Sequence, residues 1–369
     1  MKIVVISSYT PSLFLFRLDM MKAFIKQGYD VIALGPDDEE KWEDKFKEYN
    51  IQYKSIYLER SGTSIINDLK TYKSIKKRLK EIKPDKVFSY HPKPVIYGSI
   101  AAHHAGVNEI YALVAGLGSV FRGEGLKNKI IKTIMKLEYK YACKNCNYVF
   151  FQNKDDQGEF INNKIVNYED TFIINGSGVN TEKFEVVDMP EKEAFLFIGR
   201  LIKDKGLIEY LEACKVIKSK YKDVRCMLVG PFDTNPSSIK QDELEPYIKD
   251  KTIEYFGEQE DVRPYIEQCS TFVLPSYHEG TPKTVLESMS MGRAIITTDA
   301  PGCRETVINE KNGFLVKTKD VDDLVEKMEL IIKNKDLSKK MGIESRKIVM
   351  EKYDVNLVNE SIMKAMNML

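Results

Sequence analysis

A chain of 369 residues is long enough for two domains of ordinary size, and 43% hydrophobic with 30% charged residues fits a soluble globular protein. The formal net charge of +1 gives no global pull towards nucleic acid. No apolar run reaches the roughly eighteen residues of a spanning helix, so none is expected.

Strands and helices alternate from the start. Lys2 to Ile6 reads as a first strand, Leu13 to Lys26 as a helix and Asp30 to Leu34 as a strand stopped by Gly35-Pro36. Glu39 to Tyr49 is helical, Tyr53 to Leu58 a short strand, and Ile65 to Ile82 a long basic helix closed by Lys83-Pro84-Asp85. Lys86 to Tyr90 is a strand leading into His91-Pro92-Lys93-Pro94, and Tyr97 to Ala105 is helical. Glu109 to Val114 is a strand entering Ala115-Gly116-Leu117-Gly118, Lys127 to Lys144 a long helix, and Tyr148 to Phe151 a strand. The order predicts α/β architecture with parallel sheets and right-handed crossovers. Residues 176–190 read as a linker, dividing a domain at 1–175 from one at 191–352. The alternation restarts at Phe195, and Tyr353 to Leu369 reads as a terminal helix.

The cysteines Cys143, Cys146, Cys214, Cys226, Cys269 and Cys303 are scattered, and Met1 to Ile6 is a strand rather than a secretory signal, so reduced thiols in a cytoplasm are expected. Cys143 and Cys146 have half-site spacing, but without a second pair a structural role is expected. Dinucleotide binders place Gly-x-Gly-x-x-Gly after the first strand. This chain has Ser7-Ser8-Tyr9-Thr10-Pro11-Ser12 there, and Gly116, Gly118, Gly123 and Gly125 come late with the wrong spacing, which argues against a nicotinamide enzyme.

The strongest signal is His278-Glu279-Gly280-Thr281-Pro282-Lys283-Thr284-Val285-Leu286-Glu287, which follows the strand-like Thr271 to Leu274. It reads as strand, tight loop and helix, with Pro282 in a first turn that tolerates it and Glu287 about two turns in. Free N–H groups at a helix start hold phosphates, and a loop carboxylate beside them suits a sugar carried on a diphosphate. A second motif, Gly199 to Gly206, follows the strand-like Glu193 to Ile198 and sends Arg200 and Lys205 out at a strand's carboxyl end, where open α/β sheets bind ligands. Both cations suit a nucleotide diphosphate as leaving group.

Together these motifs resemble the retaining glycosyltransferases of family 4, over essentially the whole chain. Gly178 to Phe184, Leu228-Val229-Gly230, Phe256-Gly257-Glu258, Asp299 to Gly302 with Glu305, and Asn312 to Val316 add to the resemblance, with Asn180 where the family often carries Asp. The resemblance implies a GT-B fold: two Rossmann-like βα domains facing a central cleft, with the 353–369 helix crossing back onto the first. It implies a UDP-sugar donor in the second domain, with no metal required. Arg200 and Lys205 would hold the diphosphate, helped by backbone N–H groups near Thr281 to Val285, with Gly199, Gly280, Thr281, Pro282, Lys283, Thr284 and Val285 lining the donor. Glu279 would bind the sugar, Glu287 the ribose, and Val229, Gly230, Gly257 and Glu258 the base. The leaving phosphate would take the acceptor's proton.

On the acceptor side the candidates are Tyr9, Phe14, Arg60, His91, Lys93, Gly116, Gly118 and Arg122, and the resemblance also implies a catalytic place for His91, near the transferred sugar or its phosphate, beside Glu279, Arg200 and Lys205. The loop Arg60 to Thr63, the segment His91 to Pro94 and the loop Ala115 to Gly118 together resemble a bacterial subgroup that adds N-acetylhexosamine, such as N-acetylgalactosamine, to undecaprenyl-diphosphate-linked sugars. That implies a polyprenyl-diphosphate-linked glycan acceptor and a peripheral cytoplasmic location on the inner membrane face. The basic helices 65–83 and 127–144 are the expected lipid contacts. A family 4 transferase with a soluble acceptor, a UDP-N-acetylglucosamine 2-epimerase and a non-catalytic binder remain as alternatives.

Overall fold

The computed structural model describes residues 1–60, 62, 64–117, 125–234, 237–334 and 336–369, with the backbone alone for 126–128. The chain divides into one unit of Met1–Ser177 with Leu357–Leu369 and another of Gly178–Asn356.

The first unit runs β1 (Lys2–Ile6), α1 (Thr10–Lys26), β2 (Asp30–Gly35), α2 (Glu39–Lys47), β3 (Ile51–Ser55), α3 (Ile65–Ile82), β4 (Lys86–Tyr90), α4 (Ser99–Ala105), β5 (Glu109–Val114), α5 (Leu126–Cys143), β6 (Tyr148–Phe151), α6 (Lys154–Asn162) and β7 (Thr171–Ile173). Its seven strands lie in the order β3-β2-β1-β4-β5-β6-β7, all parallel. The central strands are buried on both faces, which is why they read as unbroken apolar runs rather than alternating ones.

The second unit runs β8 (Ala194–Ile198), α7 (Leu207–Lys220), β9 (Arg225–Val229), α8 (Gln241–Lys249), β10 (Glu254–Tyr255), α9 (Arg263–Glu267), β11 (Thr271–Leu274), α10 (Lys283–Ser290), β12 (Ala294–Thr298), β13 (Gly313–Val316), α11 (Val321–Lys333) and α12 (Leu337–Ile348). Its six parallel strands lie in the order β10-β9-β8-β11-β12-β13. Val179 and Phe184, inside the expected linker, are buried in this unit's core.

α13 (Val355–Ala365) follows, and Val358, Ile362 and Met366 sit in the core of the first unit. Buried Lys86 reaches that segment, its Nζ donating to the Met366 carbonyl at 3.0 Å and pairing with Glu109. The terminal helix is shorter than the sequence predicts. Asp354 leaves helical geometry at ψ 134°, and its carboxylate accepts from Thr181 Oγ1 at 2.6 Å and from the Asn356 amide at 2.8 Å.

Other boundaries also shift. α1 begins at Thr10 rather than Leu13, because Pro11 sits in the first turn, where no N–H is needed. β3 pairs over 51–55 rather than 53–58. Ile56 and Leu58 are apolar because they pack under α3 beside Ile75 and Leu79, not because they extend the strand. Helical winding after β4 starts ahead of Tyr97, with a wide turn over Pro94–Gly98. β7 has no counterpart in the sequence reading, since its three residues are only half-buried.

Candidate active site

In the second unit, three close approaches of backbone to backbone fix the loops at the carboxyl ends of β8, β9, β11 and β12. Gly230 (φ +147°) follows β9, and a Cβ there would lie 1.8 Å from the Gly199 carbonyl oxygen. Gly206 (φ +71°) ends the turn after β8, and its Cβ would meet the Pro275 oxygen at 2.0 Å. Gly302 (φ +80°) follows β12, and its Cβ would meet the Glu279 oxygen at 2.1 Å. Only glycine satisfies both the left-handed backbone and the missing volume.

Hydrogen bonds then stitch the loops together. Gly199 N–H donates to Val229 O at 3.0 Å, Tyr277 N–H to Asp204 O at 3.0 Å, and Glu279 N–H to Pro301 O at 2.9 Å. The Tyr277 hydroxyl donates to Glu209 at 2.6 Å, holding the His278–Pro282 loop to α7. The expected cations are placed by this scaffold. Lys205 Nζ lies 2.5 Å from Glu279 Oε1, with both side chains largely sheltered. Arg200 is 45% exposed, and its Nη1 lies 2.9 Å from Asp233 Oδ2. Gly199, Arg200, Lys205, Glu279 and Gly280 therefore lie on adjoining loops.

The helix after the loop differs from expectation. Pro282 is the residue before the helix, at φ −72° and ψ 112°, and Lys283 is its first position. Glu287 is accordingly just over one turn in, not two. Val285 and Leu286 donate to the Pro282 carbonyl at 3.1 and 3.3 Å, so the Val285 amide is already engaged. Thr284 Oγ1 is 3.4 Å from Ile198 O, which sets the helix start against the end of β8. Glu287 is buried, and burial raises its carboxyl pKa above 4.5, partly offset by Lys283 and Lys183. Lys283 Nζ is 3.8 Å from Glu287 Oε1. Val229 is buried, Gly230 N–H donates to Gly257 O at 2.8 Å, Gly257 has φ +70°, and Glu258 is exposed on the same rim.

In the first unit, His91 stands at the end of β4 with φ +73°, a conformation that a non-glycine residue adopts only when its surroundings impose it. Ser7 Oγ and Ser8 Oγ each lie 3.2 Å from its Nδ1. Burial, with Arg17 and Arg60 nearby, pushes the imidazole pKa down to about 3. Arg60 lies over the Tyr9 ring, 4.3 Å from its centroid. Gly116 is half-buried at φ +129° beyond β5. Phe14 and Lys93 are engaged elsewhere. The Phe14 ring packs 4.5 Å from Phe46 and 5.5 Å from Trp42, and Lys93 Nζ pairs with Asp68 at 2.7 Å in a sheltered site. Gly118 and Arg122 lie outside the described residues, as do Ser61 and Thr63 of the Arg60 loop.

Two family profiles match the chain: "Glycosyl transferases group 1" over residues 179–348 and "Glycosyl transferase 4-like" over residues 2–153. The chain belongs to the group 1 glycosyltransferases. It is 28% identical to N,N'-diacetylbacillosaminyl-diphospho-undecaprenol alpha-1,3-N-acetylgalactosaminyltransferase of Campylobacter jejuni, across 99% of this chain and 98% of that one. It is 29% identical to the Escherichia coli UDP-Gal:alpha-D-GlcNAc-diphosphoundecaprenol alpha-1,3-galactosyltransferase, across 74% of this chain and 73% of that one. Among solved structures, Anabaena HepE in complex with UDP and glucose superposes with a TM-score of 0.78 at 15% identity, covering 100% of both chains. The fold is GT-B, and the enzyme is a glycosyltransferase.

Five residues in and around the two loop clusters escaped the sequence reading. Asp233 and Glu209 are sequence-distant partners of Arg200 and Tyr277, with no local signal. Ser7 and Ser8 were visible only as the absence of glycine. Arg17 had a usable signal: it stands among Leu13, Leu15, Phe16, Leu18, Met20 and Met21, where an arginine must be solvated, paired or functional.

Proposed function

We propose that this glycosyltransferase moves a sugar, an N-acetylhexosamine, from UDP to a hydroxyl of an undecaprenyl-diphosphate-linked saccharide, with retention at the anomeric carbon. The observation that carries the donor half is the joining of Arg200, Lys205 and Glu279 on adjoining loops at the carboxyl ends of parallel strands. The acceptor half draws on the lipid-linked substrates named for the two bacterial relatives.

In this reading Arg200 and Lys205 bind the donor diphosphate and offset the charge that grows as the glycosyl C–O bond breaks. Glu279 exchanges part of its contact with Lys205 for the sugar hydroxyls and steadies the oxocarbenium-like carbon. The acceptor oxygen bonds to that carbon on the face the phosphate leaves, and its proton passes to the phosphate. Glu287 accepts hydrogen bonds from the ribose, and Val229, Gly230, Gly257 and Glu258 border the base. The cations do the work a divalent ion would do, so turnover proceeds in EDTA.

The enzyme reaches its acceptor from the cytoplasmic membrane face. Ile130, Ile134, Leu137 and Tyr141 form an exposed apolar stripe on α5, beside Lys129, Lys136, Lys140 and Lys144, and Ile65, Ile66 and Leu69 are exposed on basic α3. Vesicles with anionic lipid should retain the protein, and Leu137→Glu should release it.

Calorimetric titration with UDP tests the donor assignment. Arg200→Ala and Lys205→Ala should each weaken binding about tenfold or more, the order expected for a charged hydrogen bond. Wild-type affinity in both variants would overturn it.

A further inference from the structure

Arg17 is buried to 2% exposure in α1. Helical side chains lean towards the helix start, which brings this guanidinium towards the Ser7–Tyr9 turn and over the Tyr90 ring, 5.1 Å from its centroid. Its Nε makes no hydrogen bond, and among the described residues no carboxylate pairs with it. Two other sheltered arginines show what this fold ordinarily does with such a group. Arg293 donates to the carbonyls of Ile266, Asp188 and Glu267, and Arg346 to those of Thr181, Phe184 and Ser290. Among the described residues Arg17 meets a ring face, which attracts the charge but gives its Nε–H no hydrogen-bond acceptor.

A second cation shares the place. Arg60 and Arg17 both act on His91, while no carboxylate among the described residues acts on either Arg17 or His91. The His91 ring is neutral. Ser7 Oγ and Ser8 Oγ each lie 3.2 Å from Nδ1, and the neutral ring carries one N–H. Two guanidiniums, a ring N–H and the serine hydroxyls thus gather at the ends of β1 and β4, with no anion among the described residues. A buried cation left uncompensated is strongly unfavourable, and a ligand anion is what removes the cost.

We propose that Arg17 and Arg60 form a phosphoryl-binding site in the first unit, and that its ligand is the diphosphate of the lipid-linked acceptor. The proposal rests on the lipid-linked reading above. The donor's diphosphate already has Arg200 and Lys205 in the other unit, so a second pair of cations calls for a second anion. An acceptor with one sugar on its diphosphate carries that charge one ring away from the attacked hydroxyl. Two guanidinium forks match the two phosphoryl groups.

The test uses the full-length enzyme saturated with UDP, so that the donor site is filled, and inorganic pyrophosphate as the probe. Wild type should bind pyrophosphate, and Arg17→Met should bind it at least tenfold more weakly. Arg17→Met should melt no lower than wild type, because it replaces an unpaired buried charge with an apolar chain of similar length. In transfer assays Arg17→Met should raise the KM for an undecaprenyl-diphosphate-linked sugar at least tenfold, with the donor's KM within about threefold. For the same sugar on a linker without phosphate, wild type and variant should share one high KM. Unchanged pyrophosphate affinity and acceptor KM in Arg17→Met would overturn the proposal while leaving the lipid-linked reading intact. Pyrophosphate binding that depends on Arg17, in an enzyme that transfers only to phosphate-free saccharides, would overturn both the acceptor source and that reading. Should Arg17→Met fail to fold, Arg60→Ala, at an exposed position, must show the same loss of pyrophosphate affinity; wild-type affinity there refutes the site.

Discussion

Lys205 and Glu279, 74 positions apart, meet at 2.5 Å and link the loop after β8 to the loop after β11. Without donor they neutralise one another. In the proposed function a bound sugar diphosphate would offer each a better partner, a phosphate for the lysine and hydroxyls for the carboxylate. On that reading the pair holds the two loops in register and hands over to the substrate.

The first prediction separates those roles. Glu279→Gln keeps the shape but loses the charge, so transfer should fall by about a hundredfold or more, the scale of losing an electrostatic stabiliser at a reacting centre. UDP affinity should change by less than about threefold, since UDP lacks the transferred sugar that Glu279 is proposed to contact. Steady-state kinetics with UDP titration checks both numbers.

The loop contacts set a second expectation. Gly302→Ala must displace the Glu279 carbonyl, because its Cβ would lie 2.1 Å from that oxygen at φ +80°. Gly257 has a similar φ of +70° but nothing within 4 Å of a Cβ. Gly257→Ala should therefore cost only the backbone term of about 1–2 kcal/mol, and Gly302→Ala distinctly more, with transfer reduced beyond what its stability loss explains. Thermal melts and kcat for the two variants decide it.

How much of this was legible beforehand follows from range in sequence. The strand at Lys2–Ile6 and the helix at Ile65–Ile82 announce themselves because burial on both faces, or on one stripe, writes a continuous or 3.6-residue pattern. Arg200, Lys205 and Glu279 were legible as motifs because each sits beside a strand end. Their pairing was not, since no spacing encodes a contact between distant loops. Ile56 and Leu58 misled for the opposite reason: apolar residues report burial, not hydrogen bonding, and these are buried beyond the end of β3. The position of Glu287 turned on whether Pro282 lies inside or before the helix, a one-residue matter that composition leaves open.

Glu287 gives a pH prediction. Burial raises its folded-state pKa above the 4.5 of a free carboxyl, so the native state binds its proton more tightly than the unfolded chain. Its contribution to stability is full below 4.5 and is lost as pH rises through the raised value. Glu287→Gln escapes that loss. Without donor the variant should be more stable than wild type at pH 7, with the difference closing as pH falls below 4.5, while its affinity for UDP drops. Melts from pH 4 to 8 with and without UDP would show both effects; a wild type more stable than the variant at pH 7 without UDP would contradict the account.

His91 titrates the other way. Its folded pKa is down at about 3, against 6.5 for an ordinary histidine. The neutral ring's stabilising contribution is complete above 6.5 and is lost progressively as pH falls towards 3. NMR of the imidazole nitrogens should find His91 neutral at pH 5, where a solvated histidine is protonated, and His91→Gln should flatten the decline in stability between pH 6.5 and 4.

The central claim is metal-free transfer from UDP-sugar to a lipid-linked saccharide through Arg200, Lys205 and Glu279. Its most direct measurement is UDP release by the purified enzyme from a panel of UDP- and GDP-sugars, in detergent and EDTA, with and without an undecaprenyl-diphosphate-linked N-acetylated sugar, followed by NMR of the product's anomeric proton. The account predicts release from a UDP-sugar that requires the lipid-linked acceptor, survives EDTA, retains the donor's anomeric configuration and collapses in Arg200→Ala. Release that ignores the lipid, needs a divalent ion, or proceeds at full rate in Arg200→Ala would contradict it.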